Sequence, residues 1–380
     1  MTKPSFTPSS VTVDAAALRN ALAFARSIVE RWNTIPILGL VRLTYDIEGL
    51  LHIEATDLDI EGRIEIEATG DYGFDAMLDP RFLGGLVQFH SGPVTISRVE
   101  ADILTVEAGD MTARLREICP VTDWPVRDDL PGWTEASAVG EAVLHKAISH
   151  AMASISTEET RYYLNGIYLH GLGEKDGTPL RLVSTDGHRM TVYDTDVAWP
   201  HLAAIVPSKT AKLLHWRLLK GGNGAIAITS QVAYHKDKDG KEKPWAARLR
   251  FAGNGWAITS KMIDGTYPDY TRVIPSPVED IAVTLNYTAL RRFPHLDRFR
   301  AQAVEINPDA GRMSIRDPEG TVVSMPCVGK GKPFGLNLRY LKDFARSSGT
   351  VRITGSTDKD PFRVLSEDPA LTQVIMPMRV

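Results

Sequence analysis

Apolar and polar positions in this chain switch between a helical and a strand-like period, and they do so in a fixed order. Over 14–31, Leu18, Leu22, Ala25 and Val29 recur at helical spacing and predict one buried stripe. Period-two runs follow at 41–45, 50–54 and 60–68, where Ile60, Ile64 and Ile66 hold one parity and Glu61, Arg63, Glu65 and Glu67 the other. A second helix is predicted over 79–91, with Pro80 suited to its first turn. Strands are predicted at 94–97 and 103–118, before a proline-rich stretch at 120–131.

The same order then returns. A helix is predicted over 141–156, strands at 167–170, 180–184 and 190–194, a second helix over 207–220, strands at 225–234, 246–251 and 256–262, and a proline-rich stretch at 267–277. A third pass has helices over 286–300 and 337–348. Its strands fall at 303–306, 313–316, 322–325, 351–355, 362–366 and 373–378. The second helices open at 79, 207 and 337, intervals of 128 and 130 residues. Such spacing marks an internal repeat. The fold class is α+β: three repeated domains, at 1–131, 132–271 and 272–380, each with two helices packed on antiparallel sheet.

Composition narrows the functions open to such a chain. Its 380 residues are 43% hydrophobic and 24% charged, as in a soluble globular protein. No apolar run is long enough for a membrane helix, and the polar start lacks the core of a signal peptide, so a cytoplasmic protein is expected. Cys119 and Cys327 have no neighbouring His or Cys, which argues against a disulfide framework or a zinc site. No metal or cofactor is expected.

The net charge of −4 hides an uneven distribution. The six helical segments carry sixteen basic residues against six acidic ones, leaving the remainder strongly acidic. Arg339, Lys342 and Arg346 form one stripe, and Lys209, Lys212 and Lys220 share another face. With Arg19, Arg26, Arg31, Arg81, Lys146 and Arg217 they are candidates for contact with DNA phosphates. No helix-turn-helix or zinc-finger pattern accompanies them, so binding without sequence readout is the inference.

A catalytic centre is harder to find. Thr185-Asp186-Gly187-His188-Arg189 gathers a carboxylate, an imidazole and a guanidinium on one turn, but no second acid or nucleophile stands at triad or metal-cage spacing. Asp57 and Asp59 have no counterparts in the other repeats, and Gly329-Lys330-Gly331-Lys332 lacks the spacing and hydroxyl of a phosphate loop. A non-catalytic binding protein is favoured. A DNA-modifying enzyme using Asp186 and His188 is the alternative from another class.

Four motifs carry a family resemblance: Arg161-Tyr162-Tyr163-Leu164-Asn165-Gly166, Thr185-Asp186-Gly187-His188-Arg189-Met190, Tyr267-Pro268-Asp269-Tyr270, and the ending Val374-Ile375-Met376-Pro377-Met378-Arg379-Val380. The chain resembles the bacterial DNA polymerase III beta subunit, the sliding clamp. The resemblance implies a ring of two head-to-tail copies around duplex DNA. It also implies a pocket for short peptides of the replicative polymerase's catalytic subunit, the clamp loader, and repair and translesion polymerases. Carried over, the pocket takes in Leu164, Thr185, Gly187, His188, Arg189 and Met190. From the later chain come Pro268, Arg272, Val273, Val374, Met376, Pro377 and Met378, with Asn337 and Tyr340 at its edge. Tyr162 and Tyr163 are implied DNA contacts, and Arg31 stands where the family places a DNA-contacting arginine.

Arg114, Arg116 and Phe293 are carried over to the homodimer interface. Apolar side chains are expected on the contacting parity of 111–118, yet Arg114 and Arg116 fall there, which raises a second alternative: a divergent clamp paralogue that dimerises weakly. The charged insertion at 236–243 reads as a solvated hairpin tip.

Overall fold

The computed structural model describes residues 7–30, 34–125, 132–173, 178–236, 241–296, 302–345 and 349–380. A ten-element order (strand, helix, four strands, helix, three strands) occurs three times, opening at Ser9, Ser137 and Ile281. The helices are α1 (Ala15–Ala25), α2 (Pro80–Leu86), α3 (Glu141–Ala151), α4 (Ser208–Leu213), α5 (Tyr287–Arg292) and α6 (Leu338–Phe344).

Each helix follows a short strand, and four of them are capped by that strand's last residue or, for α2, by the residue after it. Asp14 accepts from the amides of Ala16 and Ala17 at 2.8 and 3.0 Å, Asp79 from Arg81 at 2.7 Å, Asn286 from Ala289 at 2.9 Å, and Asn337 from Arg339 and Tyr340 at 3.0 and 3.3 Å. The capping side chains satisfy amides that a helix start leaves open, so strand turns into helix without a loop.

The helices are shorter than the periodicity predicts. Pro294 stops α5, with Phe293 already extended (φ −61, ψ 123) before it. Gly84 and Gly85 weaken α2 near its end. The single strand predicted at 103–118 is a hairpin, Ile103–Ala108 and Met111–Arg116, turned at Gly109 with φ 60.

The chain forms two compact units, Met1–His145 with Lys212–Met262, and Lys146–Ala211 with Ile263–Val380. Each holds one twelve-stranded sheet. In the first unit, strands of the first and second repeats join where Ile60–Ile64 pairs antiparallel with Trp256–Ser260. In the second unit, the second and third repeats join where Arg189–Tyr193 pairs antiparallel with Leu371–Ile375.

In the first unit α1 buries Leu18, Leu22 and Phe24 against the sheet. It packs so closely that a Cβ on Gly62 would fall 2.6 Å from Phe24 Cζ. In the second unit Leu285, Leu290, Val304, Leu336, Leu341 and Phe344 share one core, with Phe334 stacked on Phe362 at 4.3 Å. No described helix is long and apolar enough to cross a membrane. Both cysteines are free, and burial raises both thiols above their ordinary value.

Candidate functional site

The second unit contains an apolar pocket of about 270 Å³. Its floor is Leu164, Met190, Tyr270 and Val374, part of a buried cluster with Val183, Val192 and Tyr267. Thr185, Gly187 and Arg189 form one wall; Pro268, Asp269 and Val273 form another; Arg161, Tyr163 and Met376 complete it.

Side-chain bonds build the first wall. Thr185 Oγ1 donates to the Arg189 carbonyl at 2.7 Å and accepts from the Gly187 amide at 3.1 Å. Asp186 Oδ1 accepts from the amides of His188 and Arg189 at 2.9 and 3.0 Å. Gly187 sits at φ 88, and a Cβ there would lie 2.7 Å from Arg161 Nη1. Asp186 Oδ2 also takes a 3.0 Å bond from Arg189 Nε. Both carboxylate oxygens of Asp186 thus serve the turn, which leaves the enzyme alternative without its acid.

Several expected members lie around the pocket rather than in it. His188 contributes its carbonyl, which accepts from the Met376 amide at 2.8 Å and fastens the C-terminal segment. The Met378 amide bonds to the Gly335 carbonyl at 2.8 Å, and Pro377 lies half-buried between these two links. Asn337 is spent capping α6. Arg189 lies over the Tyr340 ring, and Arg272 is exposed beside Asp269 at 2.8 Å.

Behind Tyr270 runs a polar network that the hydrophobic pattern did not signal. Arg181 grips Asp194 at 2.5 and 2.8 Å and donates to the Tyr270 hydroxyl at 3.2 Å. His170 Nδ1 donates to the Gly171 carbonyl at 2.7 Å, so Nε2 of the neutral ring accepts from the Tyr270 hydroxyl at 2.8 Å. Burial, with Arg181 nearby, holds His170 below the usual imidazole value. Tyr168 stacks on Tyr267 at 4.6 Å, and burial keeps the Tyr267 phenol protonated. The network fixes the Pro268–Tyr270 wall from behind.

The model of the DNA polymerase III beta subunit central domain matches residues 138–269. The beta sliding clamp of Caulobacter vibrioides is 32% identical to this chain, over 97% of the chain and all of the relative. The chain belongs to the beta sliding clamp family. The Escherichia coli K12 clamp is 25% identical over 91% of the chain and 93% of that relative. A C. crescentus clamp structure superposes with a TM-score of 0.84 at 30% identity, covering 99% of this chain and 100% of that one. A DnaN clamp from Bartonella birtlesii bound to griselimycin gives 0.85 at 27%, covering 98% and 100%. A sliding clamp is a non-catalytic subunit of DNA polymerase III, so Asp186 and His188 carry no reaction.

The clamp's helical cations divide into two sets. Arg26, Lys209, Lys212, Arg217 and Arg339 are exposed, while Arg31 and Arg346 lie outside the described residues. Others are spent internally, contrary to expectation. Arg19 on α1 donates to the Val87 and His90 carbonyls beyond α2, at 2.8 and 2.5 Å; Arg81 on α2 donates to the Glu30 carbonyl beyond α1, at 3.1 Å. Lys342 on α6 donates to the Phe293 carbonyl that ends α5. The accepting carbonyls lie in the segments that follow the short helices, and long cationic side chains of the companion helix supply their donors. Lys146 pairs with Asp368 at 2.7 Å. Tyr162 is 53% exposed, whereas Tyr163 lines the pocket.

The edge strand shows where the side chains of Arg114 and Arg116 lie. In Met111–Arg116, Met111, Ala113 and Leu115 lie opposite Ala108, Val106 and Leu104 on the inward face. Arg114 and Arg116 hold the outward parity and pair with Glu100 and Asp102 at 2.5 and 3.3 Å. The parity that faces the core is therefore the apolar one. Phe293 is 4% exposed within its own core and has little surface to offer a second copy. The charged stretch follows a hairpin paired out to Lys236 and Glu242, with 237–240 outside the described residues.

Proposed function

We propose that this clamp encircles duplex DNA as a head-to-tail homodimer, without sequence preference. It would give processivity to the replicative polymerase in the cytoplasm. Its three domains would be 1–131, 132–271 and 272–380. The clamp loader, the polymerase catalytic subunit, and repair and translesion polymerases would dock peptides in the pocket at Thr185, Met190, Val374 and Met376.

One observation carries ring closure. The third strand of the middle four accepts the last strand of the following repeat: Ile60–Ile64 takes Trp256–Ser260, and Arg189–Tyr193 takes Leu371–Ile375. In the third repeat the matching stretch, 322–326, pairs along one side only, with Arg312–Arg316. The matching last strand of the first repeat, Met111–Arg116, pairs only with Ile103–Ala108. Each copy thus presents one acceptor and one donor without a paired strand among the described residues, and a second copy supplies both.

The deciding experiment loads the protein onto nicked circular DNA with a clamp loader. Retention in high salt, with release once the circle is cut, is expected; equal retention on circles and linear DNA overturns the reading. Griselimycin, bound by the Bartonella birtlesii and Pseudomonas aeruginosa clamps, is expected to compete with docking peptides.

A further inference from the structure

The second helix of the second repeat differs from its two counterparts. α2 ends at Leu86 and α6 at Phe344, but α4 runs on into a π-helical turn, Leu214–Leu218. A π turn re-aims the side chains beyond it and often marks a functional site. Leu214 and Leu218 are buried, and the His215 ring stacks on His145 of α3 with centroids 4.5 Å apart. These three residues hold the inner side of the turn, so Trp216 and Arg217 project outward.

Trp216 is 60% exposed. An indole left this open forgoes burial that most tryptophans obtain. Lys212, Arg217 and Lys220 flank it in the chain, all exposed, and 208–224 contains no acidic residue. Glu141 approaches the segment, but its Oε1 accepts from the Lys220 amide at 2.5 Å, and its carboxylate lies against Gly222 and Gly224.

We infer that Trp216, with Lys212, Arg217 and Lys220, is a stacking site for unpaired nucleotides of single-stranded DNA. The cations complement a phosphate backbone, and an exposed indole offers what only an unpaired base can use, since duplex stacking hides the base faces. The inference rests on the proposal that the basic helices meet DNA, and extends it to single strands beside the duplex.

The test measures binding of labelled oligothymidylate, and of a blunt duplex of equal length, to the full-length protein at low salt. Trp216→Ala is expected to weaken oligothymidylate binding about tenfold and leave duplex binding unchanged. Trp216→Phe should keep most of the affinity. Arg217→Gln should weaken both and flatten the salt dependence. Unchanged oligothymidylate binding in Trp216→Ala, an equal loss on both DNAs, or no binding by the parent protein overturns the inference. Thermal unfolding of each variant separates misfolding from lost contact; if Trp216→Ala misfolds, a Trp216→Phe variant that loses single-strand binding as fully as Arg217→Gln overturns it too. Circle retention is measured in parallel, so failure of the ring and failure of the stacking site give different results.

Discussion

Arg189 lies over the ring of Tyr340, its guanidinium carbon 4.1 Å from the ring centroid, while its Nη1 reaches Asp343 Oδ2 at 2.7 Å. One buried cation thus ties the pocket turn to α6 and answers both Asp186 and Asp343. Arg189→Leu removes the cation that two carboxylates share and is expected to cost about 3 kcal/mol. Tyr340→Ala should cost about 1 kcal/mol, and Tyr340→Phe far less, because the ring face is kept. Denaturant midpoints check the ranking; a Tyr340→Phe variant as unstable as Tyr340→Ala would refute it.

Met376 and Val374 both border the pocket but differ in burial: Val374 is 2% exposed within a paired strand, and Met376 is half-buried beyond it. Met376→Ala is expected to weaken a docking peptide about tenfold with little change in stability. Val374→Ala should lower stability by about 1–2 kcal/mol. Fluorescence anisotropy and thermal unfolding together distinguish them.

His170 predicts a pH dependence. Its folded value lies below the ordinary 6.5 because burial and Arg181 oppose a second charge, with the Gly171 carbonyl and Asp194 only partly offsetting them. Its contribution to stability is therefore complete above about 6.5 and is lost as pH falls through the depressed folded value. Peptide affinity should fall over the same window, since Tyr270 loses its acceptor. His170→Phe is expected to flatten this part of the profile; an unaltered slope would assign it to another group.

Ring closure is predicted to depend on the inward parity of the edge strands. Leu115→Asp and Val323→Asp should convert the dimer to monomer in sedimentation at micromolar concentration. Arg114→Ala and Arg116→Ala should leave the dimer intact, because their partners are Glu100 and Asp102 of the same chain. Dissociation in the arginine variants instead would support the weak-paralogue reading.

The division of the cations gives a further contrast. Lys212→Glu and Arg339→Glu should weaken DNA binding at all sequences and lower its salt slope. Arg19→Gln and Lys342→Met should mainly lower stability, by about 1 kcal/mol each, since they remove donors to helix-end carbonyls. Paired binding and unfolding measurements decide between the two roles.

Much of the fold was legible in the chain because local spacing reports burial. Leu18 and Leu22 mark the inner face of α1, and Ile60 and Ile64 mark one side of their strand. The short strands that open each helix were missed: Val11 and Val13 are buried, but two alternations within six residues are too few to read. The pocket was reached through motifs, and its supporting residues His170, Arg181 and Asp194 were not. Each sits on a strand parity that looks merely polar, and the three meet only when neighbouring strands align.

Sequence alone determined the threefold order of elements, the concentration of positive charge on helices and the turn at Thr185–Met190. All three depend on residues close in the chain. Tertiary structure decided which strand closes on which, that Arg114 and Arg116 turn outward, and that Arg19, Arg81 and Lys342 spend their charge on carbonyls just past a companion helix. These outcomes depend on register between distant strands and on unsatisfied helix ends, and neither leaves a periodic trace in the chain.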